Sequence, residues 1–339
     1  MYRISGKVVA VIKEATFNIG GTFLNADCIE ITEDTSMKPE IASVESKVTA
    51  QSFLSKAKIP TKETASGTIG MELIPLGGAS KDINGADLLE VCVGVREPEG
   101  VGTGCFIGYS DAGTTSANMI YQATGSEVGT GVLYKLNQVC GSQASLAIKE
   151  MYGCSTSDSR TLYYTGVVPT AAKFNFPTND ICTISIDAGA SGFTSATGET
   201  LLVNTVIAST PYVGRSGKFM IDGASKEAKD VTISVENTVV DREAITSSGV
   251  SAKIITKKTI KGTFKTIFED FSELNKFKNS TDGSLYLELT NGTHKFAIYI
   301  PKFRYSAVGI ENADGILENS IEFEVNASSE IDPILIGAM

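Results

Sequence analysis

Apolar and polar residues alternate along much of this chain, and one alternating stretch is written twice. Lys62–Leu73 reads K-E-T-A-S-G-T-I-G-M-E-L and Lys257–Phe268 reads K-K-T-I-K-G-T-F-K-T-I-F, with Gly67 over Gly262. In the first copy Ile69, Met71 and Leu73 share one face while Thr68, Gly70 and Glu72 share the other, a period of two that predicts a half-buried strand. In the second, Ile260, Phe264 and Phe268 share a parity with Gly262 and Thr266. A short helix is predicted after each. Asn84–Gly94 is the first, with Asp87 a cap if it starts late and Gly94 its end. F-S-E-L-N-K-F-K-N is the second, with Ser272 as N-cap and Leu274 and Phe277 on one face. Each helix is followed by a strand that runs into a single proline, Tyr163–Pro169 and Phe296–Pro301.

The second copy is the cleaner. Val231, Ile233 and Val235 alternate with Thr232 and Ser234, and Leu285, Leu287 and Leu289 alternate again. Asn291–Gly292 is a hairpin signal before Lys295–Ile300. Ile321, Phe323 and Val325 close the unit, with Glu322 and Glu324 on the opposite face. Gly67 to Pro169 spans 102 residues and Gly262 to Pro301 only 39, so the first copy carries an insertion and the chain is no solenoid of equal units.

The pattern divides the chain into five parts. Residues 1–40 form an N-terminal arm that lies on something else, with Val8–Ile12 a short strand or helix and Cys28–Ile31 another short element. A first domain covers 41–208 and contains an insertion at 99–161, rich in Gly, Ser and Thr, where Val132–Leu136 and Leu146–Tyr152 are apolar enough to pair. A break falls near Ser209–Gly217, a second domain covers 218–330, and 331–339 form a C-terminal tail.

Composition supports an all-β protein with many turns: 33 glycines in 339 residues, and long aromatic and β-branched runs. A net charge of −10 with 20% charged residues argues against a conventional basic nucleic-acid binder, though not against surrounding nucleic acid without gripping it. The opening apolar run is too short for a signal peptide, and no stretch has the length of a membrane span. Six scattered cysteines without C-x-x-C spacing read as free thiols of a reducing cytoplasm.

Catalytic equipment is missing from the sequence. His294 is the only histidine, which removes Ser-His-Asp, Cys-His and histidine-ligated metal sites unless it serves alone. No G-x-S-x-G, Walker loop or H-E-x-x-H occurs. Glu269 with Asp270 and Glu322 with Glu324 are paired carboxylates, the latter about 7 Å apart along one strand face. They lack the aromatic platform a glycosidase would place beside them. No catalytic, cofactor or metal residues are assigned, and a non-enzymatic building block is expected.

The order of these motifs resembles the tail tube proteins (major tail proteins) of long-tailed bacteriophages. V-V-A-V-I-K-E-A-T-F-N-I-G-G-T-F-L-N-A-D-C-I-E-I is similar to that family's opening segment, Lys38–Ser46 and Thr64–Leu73 to its first strands, and L-L-E-V-C-V-G to its short helix. Tyr163–Pro177, Ile233–Asn237, Thr259–Asp270, F-S-E-L-N-K-F-K-N and L-Y-L-E-L-T-N-G follow in the family's order; Glu99–Gly141 departs from it. The resemblance implies two tandem β-barrel or sandwich domains, each with a short flanking helix, in stacked hexameric or pseudo-hexameric rings. It implies a virion component, assembled in the host cytoplasm, through whose lumen DNA passes without specific binding. The partners implied are further copies of the chain, a tape measure protein, a tail terminator and a distal tail protein, with no membrane and no cofactor.

On this reading Glu72, Glu288, Glu322 and Glu324 are candidate lumen-facing acids. The strands Lys62–Leu73 and Lys257–Phe268 are candidate ring contacts. Alternatives are the inner tube of a contractile tail or secretion-like machine, another self-assembling surface layer, or a carbohydrate-binding β-sandwich.

Overall fold

The computed structural model describes residues 7–44, 58–76, 82–97, 108–109, 119–120, 132–136, 144–153, 155, 158–204, 207–215, 217–243, 250–292, 294–313, 315–325 and 333–338. The chain is mainly β, with little helix. Its first half contains β1 (Lys7–Lys13), β2 (Cys28–Ile29), β3 (Ser36–Val44), β4 (Ile59–Glu72) and helix α1 (Ala86–Val93). Four short strands follow: β5 (Gly94–Glu97), β6 (Gly108–Tyr109), β7 (Met119–Ile120) and β8 (Val132–Leu136). The half closes with β9 (Leu146–Tyr152), β10 (Arg160–Phe176), β11 (Thr183–Ala190) and β12 (Gly192–Thr197). The second half contains β13 (Gly217–Ile221), β14 (Ala224–Ser225), β15 (Ala228–Glu243), β16 (Val250–Ile267) and helix α2 (Ser272–Lys278). It ends with β17 (Asp282–Asn291), β18 (His294–Ala313), β19 (Ile316–Val325) and β20 (Leu335–Ala338).

One pairing scheme occurs twice. In the first half β4 lies between β3 and β11, β11 pairs β10, β10 also pairs β9 and β12, and β1 pairs β9 and β2. In the second, β16 lies between β15 and β19, β19 pairs β18, β18 also pairs β17 and β20, and β13 pairs β17 and β14. All these pairs are antiparallel.

The two copies share their irregularities as well as their order. In the first, Thr61 is skipped between Lys62 and Pro60 opposite Ala42 and Ser43. In the second, Thr256 is skipped between Lys257 and Ile255 opposite Thr238 and Val239. Each bulged threonine donates its hydroxyl across the gap, Thr61 Oγ1 to the Ala42 carbonyl at 3.2 Å and Thr256 Oγ1 to the Thr238 carbonyl at 3.1 Å. Thr170 in β10 and Ser306 in β18 are skipped in the same way against β11 and β19. Thr165 and Gly166 bulge against β9, as Pro301 and Lys302 do against β17. An added residue bends and twists a strand, so β10 and β18 can each begin in one sheet and finish in another.

These bulges correct the alignment of the prolines. Neither strand stops at its proline, because both continue through a bulge that needs no regular ladder N–H there. Matching Thr170 to Ser306 sets Pro169 over Tyr305, and Pro301 over Thr165. Gly67 over Gly262 holds: Gly67 pairs Met37 and Ala188, and Gly262 pairs Ile233 and Phe323. The same physical cause keeps both positions free of a side chain. A Cβ on Gly67 would stand 2.0 Å from the Ser36 carbonyl oxygen, and one on Gly262 2.5 Å from the carbonyl oxygen of the equivalent Thr232.

The arm and tail boundaries shift. β1 is inserted against β9, and Val9 and Ala10 are fully buried. Glu14 fastens the connection after it, accepting from the amides of Asn18 (2.9 Å), Gly20 (2.9 Å) and Gly166 (3.1 Å) and from the Ser145 hydroxyl. Residues 7–40 therefore supply strands and core to the first copy. At the other end β20 pairs β18 and β8 and is buried along its length, so 335–338 are structural as well. The expected pairing segments in the insertion are strands β8 and β9, but they pair with β20 and β1 rather than with each other. Since β9 belongs to the repeated scheme, the segment peculiar to the first copy begins after α1 and ends before β9. Within the expected insertion, 99–107, 110–118, 121–131, 137–143, 154 and 156–157 lie outside the described residues.

The helices differ from expectation in detail. α1 ends at Gly94 as predicted and starts after Gly85, which has a φ of 74°. Ser272 is the first residue of α2 and is held by Asp270, whose carboxylate accepts its amide at 2.8 Å. The buried residue of α2 is Glu273, which accepts from Tyr305 Oη at 2.5 Å, while Phe277 stays exposed. An aromatic contact joins the copies, with Phe174 6.2 Å from Phe296, and within the second copy Phe264 lies 5.8 Å from Phe323.

Gly67→Ala and Gly262→Ala should each destabilise the protein by roughly 1–3 kcal/mol, as overpacking does. Urea unfolding of the two variants tests this, and a midpoint equal to the parent's in either one contradicts the cross-strand carbonyl contact.

Candidate functional site: two open sheet edges and a charged face

Eight long strands run in one order, β3-β4-β11-β10-β15-β16-β19-β18, and the step from β10 to β15 joins the copies. That seam pairs Ala171 with Glu236, Ala172 with Val235, Lys173 with Ser234, Phe174 with Ile233 and Asn175 with Thr232. The strands singled out as ring contacts, 62–73 and 257–268, lie within this sheet: 65–68 and 261–266 have partner strands on both sides, whereas 62–64 and 257–260 pair on one side only among the described residues. At the two ends of this order, the outer side of β3 and the outer side of β18 beyond Tyr305 have no partner strand among the described residues, and β4, β15 and β16 are one-sided beyond the segments that β11, β10 and β19 cover.

Side chains reinforce the seam from behind. Asn237, nearly buried, donates its amide to the carbonyls of Cys92 and Pro169, each at 3.1 Å. Lys258 donates to the carbonyls of Cys92 (3.0 Å) and Val93 (2.6 Å), the C-terminal end of α1, where a cation opposes the helix dipole. Burial holds the Lys258 ammonium below its ordinary pKa, against the opposing effect of Cys92. Further out, Lys62 of the first copy bridges Asp241 (2.9 Å) and Glu243 (2.8 Å) of the second, and Lys253 also reaches Asp241 at 2.9 Å. Burial alone would raise the Asp241 pKa; hydrogen bonds from Lys253 and Lys62 outweigh it and hold the carboxyl below its usual value.

The polar face of the sheet is concave, with a groove of about 710 Å³ bordered by Lys173, Asp187, Glu236, Lys261, Glu322 and Glu324. Glu322 and Glu324 are exposed on it, and Glu72 is half-buried on the same face, opposite Thr183. Glu288 is elsewhere. Strand β17 is covered on both sides, and Glu288 is buried, accepting from Tyr286 Oη with Lys295 at 4.0 Å. The alternation of Leu285, Leu287 and Leu289 hid this second cover.

The exposed acids are interleaved with cations. Lys261 meets Glu236 at 2.7 Å, Lys265 meets Glu311 at 3.2 Å, and Arg304 sits opposite Glu324, while Lys229 contacts the buried Glu318. The groove itself carries four acids and two lysines, so the face is net acidic with cations interleaved. Among the described residues no group of three His, Cys, Asp or Glu could hold a metal ion, and Cys28, Cys92 and Cys182 are free thiols.

A repeated antiparallel scheme is thus joined edge to edge, with a margin at each end that has no partner strand among the described residues. The family described as phage tail tube protein matches residues 5–326. The chain belongs to that family. No curated protein matches it. Membership gives this tail tube protein a structural role in a phage tail and a viral context.

Asp241→Asn should lower stability by about 1 kcal/mol at neutral pH, as a partly exposed ion pair allows. A carboxyl with a lowered folded pKa stabilises above its unfolded value near 3.9. That contribution is lost as pH falls through the folded value. The gap between parent and variant should therefore be full at pH 6 and close on acidification below about pH 4; a gap that persists at pH 2 to 3 contradicts the assignment.

Proposed function

We propose that this protein polymerises into a hollow tube that conducts a phage genome from capsid to host cell. Three chains form each ring, their six copies of the strand scheme standing in for six one-domain subunits. The observation that carries the reading is the β10–β15 seam: two copies of one scheme already pair edge to edge, and the outer copies offer the same two kinds of edge. Heterologous contacts of this sort close into a ring when the rotation between units divides a full turn. Joining copies in pairs makes half of the junctions intramolecular, which lowers the entropic cost of assembly.

In this arrangement the concave polar face is the wall of the lumen, carrying Glu72, Glu322 and Glu324, while the buried Glu288 has no part in it. DNA presents one charge per roughly 1.7 Å of axis, so a basic wall would hold phosphates. A wall with more acids than lysines does not. Stacking of rings falls to the far ends of the hairpins β3–β4 and β15–β16. There Val44 faces Ile59 and Val240 faces Ile254, and all four are exposed at equivalent positions in the two copies. The tape measure protein, tail terminator and distal tail protein belong to the same proposal as partners in the lumen and at the tube's two ends.

Electron microscopy of the purified protein should show tubes built of stacked rings with three chains each. Folded protein that stays monomeric at high concentration would sink the reading. Glu322→Lys with Glu324→Lys should leave tube formation intact and slow genome ejection from reconstituted phage; unchanged ejection would take these two acids out of the lumen.

A further inference from the structure

From the intrachain seam we infer the register of the seam between chains: β18 of one copy pairs antiparallel with β3 of a second copy. Ala307 stands opposite Glu40, Val308 opposite Pro39, Gly309 opposite Lys38, Ile310 opposite Met37 and Glu311 opposite Ser36. The inference rests on the tube reading and adds to it the interface and its alignment.

The derivation uses shared bulges. Thr170 over Ser306 sets Ala171 to Asn175 over Ala307 to Glu311. Thr61 over Thr256 and Gly67 over Gly262 set Ser36 to Glu40 over Thr232 to Glu236. Five of the six pairs seen at β10–β15 then translate one for one into the five above.

Exposure points to the same edges. Phe174 is fully buried at the intrachain seam, whereas its counterpart Ile310 is 41% exposed. Asn237, 7% exposed, has Ile41 as its counterpart, and Ile41 is 56% exposed. Helix α2 lies against β18 as α1 lies against β10, and its Phe277 is open to solvent. A second copy docking through β3 brings Ile41 to that side of the sheet, where an apolar contact takes the place of the polar Asn237 bonds. Lys38 and Pro39 guard β3 against indiscriminate pairing, as lysine and proline do on open edges. The occupant is a copy of this chain, because the complementary edge has the register, the bulge and the apolar residue that the open one lacks.

Directly opposed strand residues have Cα atoms about 4.5–5.5 Å apart, within the reach of a disulfide, whereas a two-residue slip exceeds about 7 Å. Lys38→Cys and Gly309→Cys in one full-length chain should crosslink between chains on mild oxidation and run as covalent species ending at closed trimers. Each single variant gives the background from native thiols. The slipped combination, Lys38→Cys with Glu311→Cys, should crosslink about tenfold less. Tubes visible by microscopy without the matched crosslink, or with the slipped pair reacting as readily, overturn the register and leave the tube reading standing. Folded protein that gives neither tubes nor crosslinks overturns both. In parallel, Ile310→Asp should keep the parent's circular dichroism and lose assembly; normal tubes from that variant also overturn the inference.

Discussion

A β-strand has two edges, and each backbone donor and acceptor on them needs a partner, water or cover. That requirement organises this molecule. β10 meets it by changing partners along its length, lying between β9 and β12 at its start and between β11 and β15 at its end. β18 does the same, except that its final stretch has β19 on one side only. The bulges at Thr165–Gly166 and Thr170, and at Pro301–Lys302 and Ser306, are what let one strand serve two sheets. Remove the bend and the second sheet of each copy would have no shared strand to hold it.

The two kinds of junction solve one geometric problem with different chemistry. Within the chain, Asn237 and Lys258 satisfy carbonyls at the end of α1 and at Pro169, and these polar bonds form between groups already held close together. At the open edges the equivalent positions offer apolar surface, Ile310 and Ile41. Bringing separate molecules together costs translational and rotational freedom that neighbours in one chain do not lose. Burial of apolar area is the general source of free energy for such association. If the open edges meet as proposed, the two copies keep one backbone plan while their side chains differ with the kind of joint.

Much of the fold was legible because period-two alternation reports a sheet with one covered face. Thr68–Leu73, Val231–Val235 and Ile321–Val325 follow that rule, and the strands fall where it puts them. Leu285–Leu289 satisfies the same rule and misleads about Glu288, since alternation cannot reveal cover on the polar side by another strand's residues. The prolines were misaligned for a related reason. A bulge admits one extra residue without changing composition, so Pro169 and Pro301 look equivalent by position yet lie four residues apart in the sheet. The arm at 1–40 looked unsupported because its partner, β9, lies more than a hundred residues downstream. Open edges leave the faintest trace of all. Only K-P-E at Lys38–Glu40 hints at a guarded margin, and nothing local to Ile310 distinguishes an edge from an interior strand.

The β8–β20 ladder, in which Lys135 stands opposite Leu335 and Val132 opposite Ala338, ties the first copy's insertion to the far end of the second. Such a distant contact forms late, since loop closure over so long a separation is entropically slow. A chain interrupted before Leu335 would therefore leave both β8 and the N-terminal half of β18 uncovered. Loss of that one strand would loosen both copies at once, since it fills an edge in each.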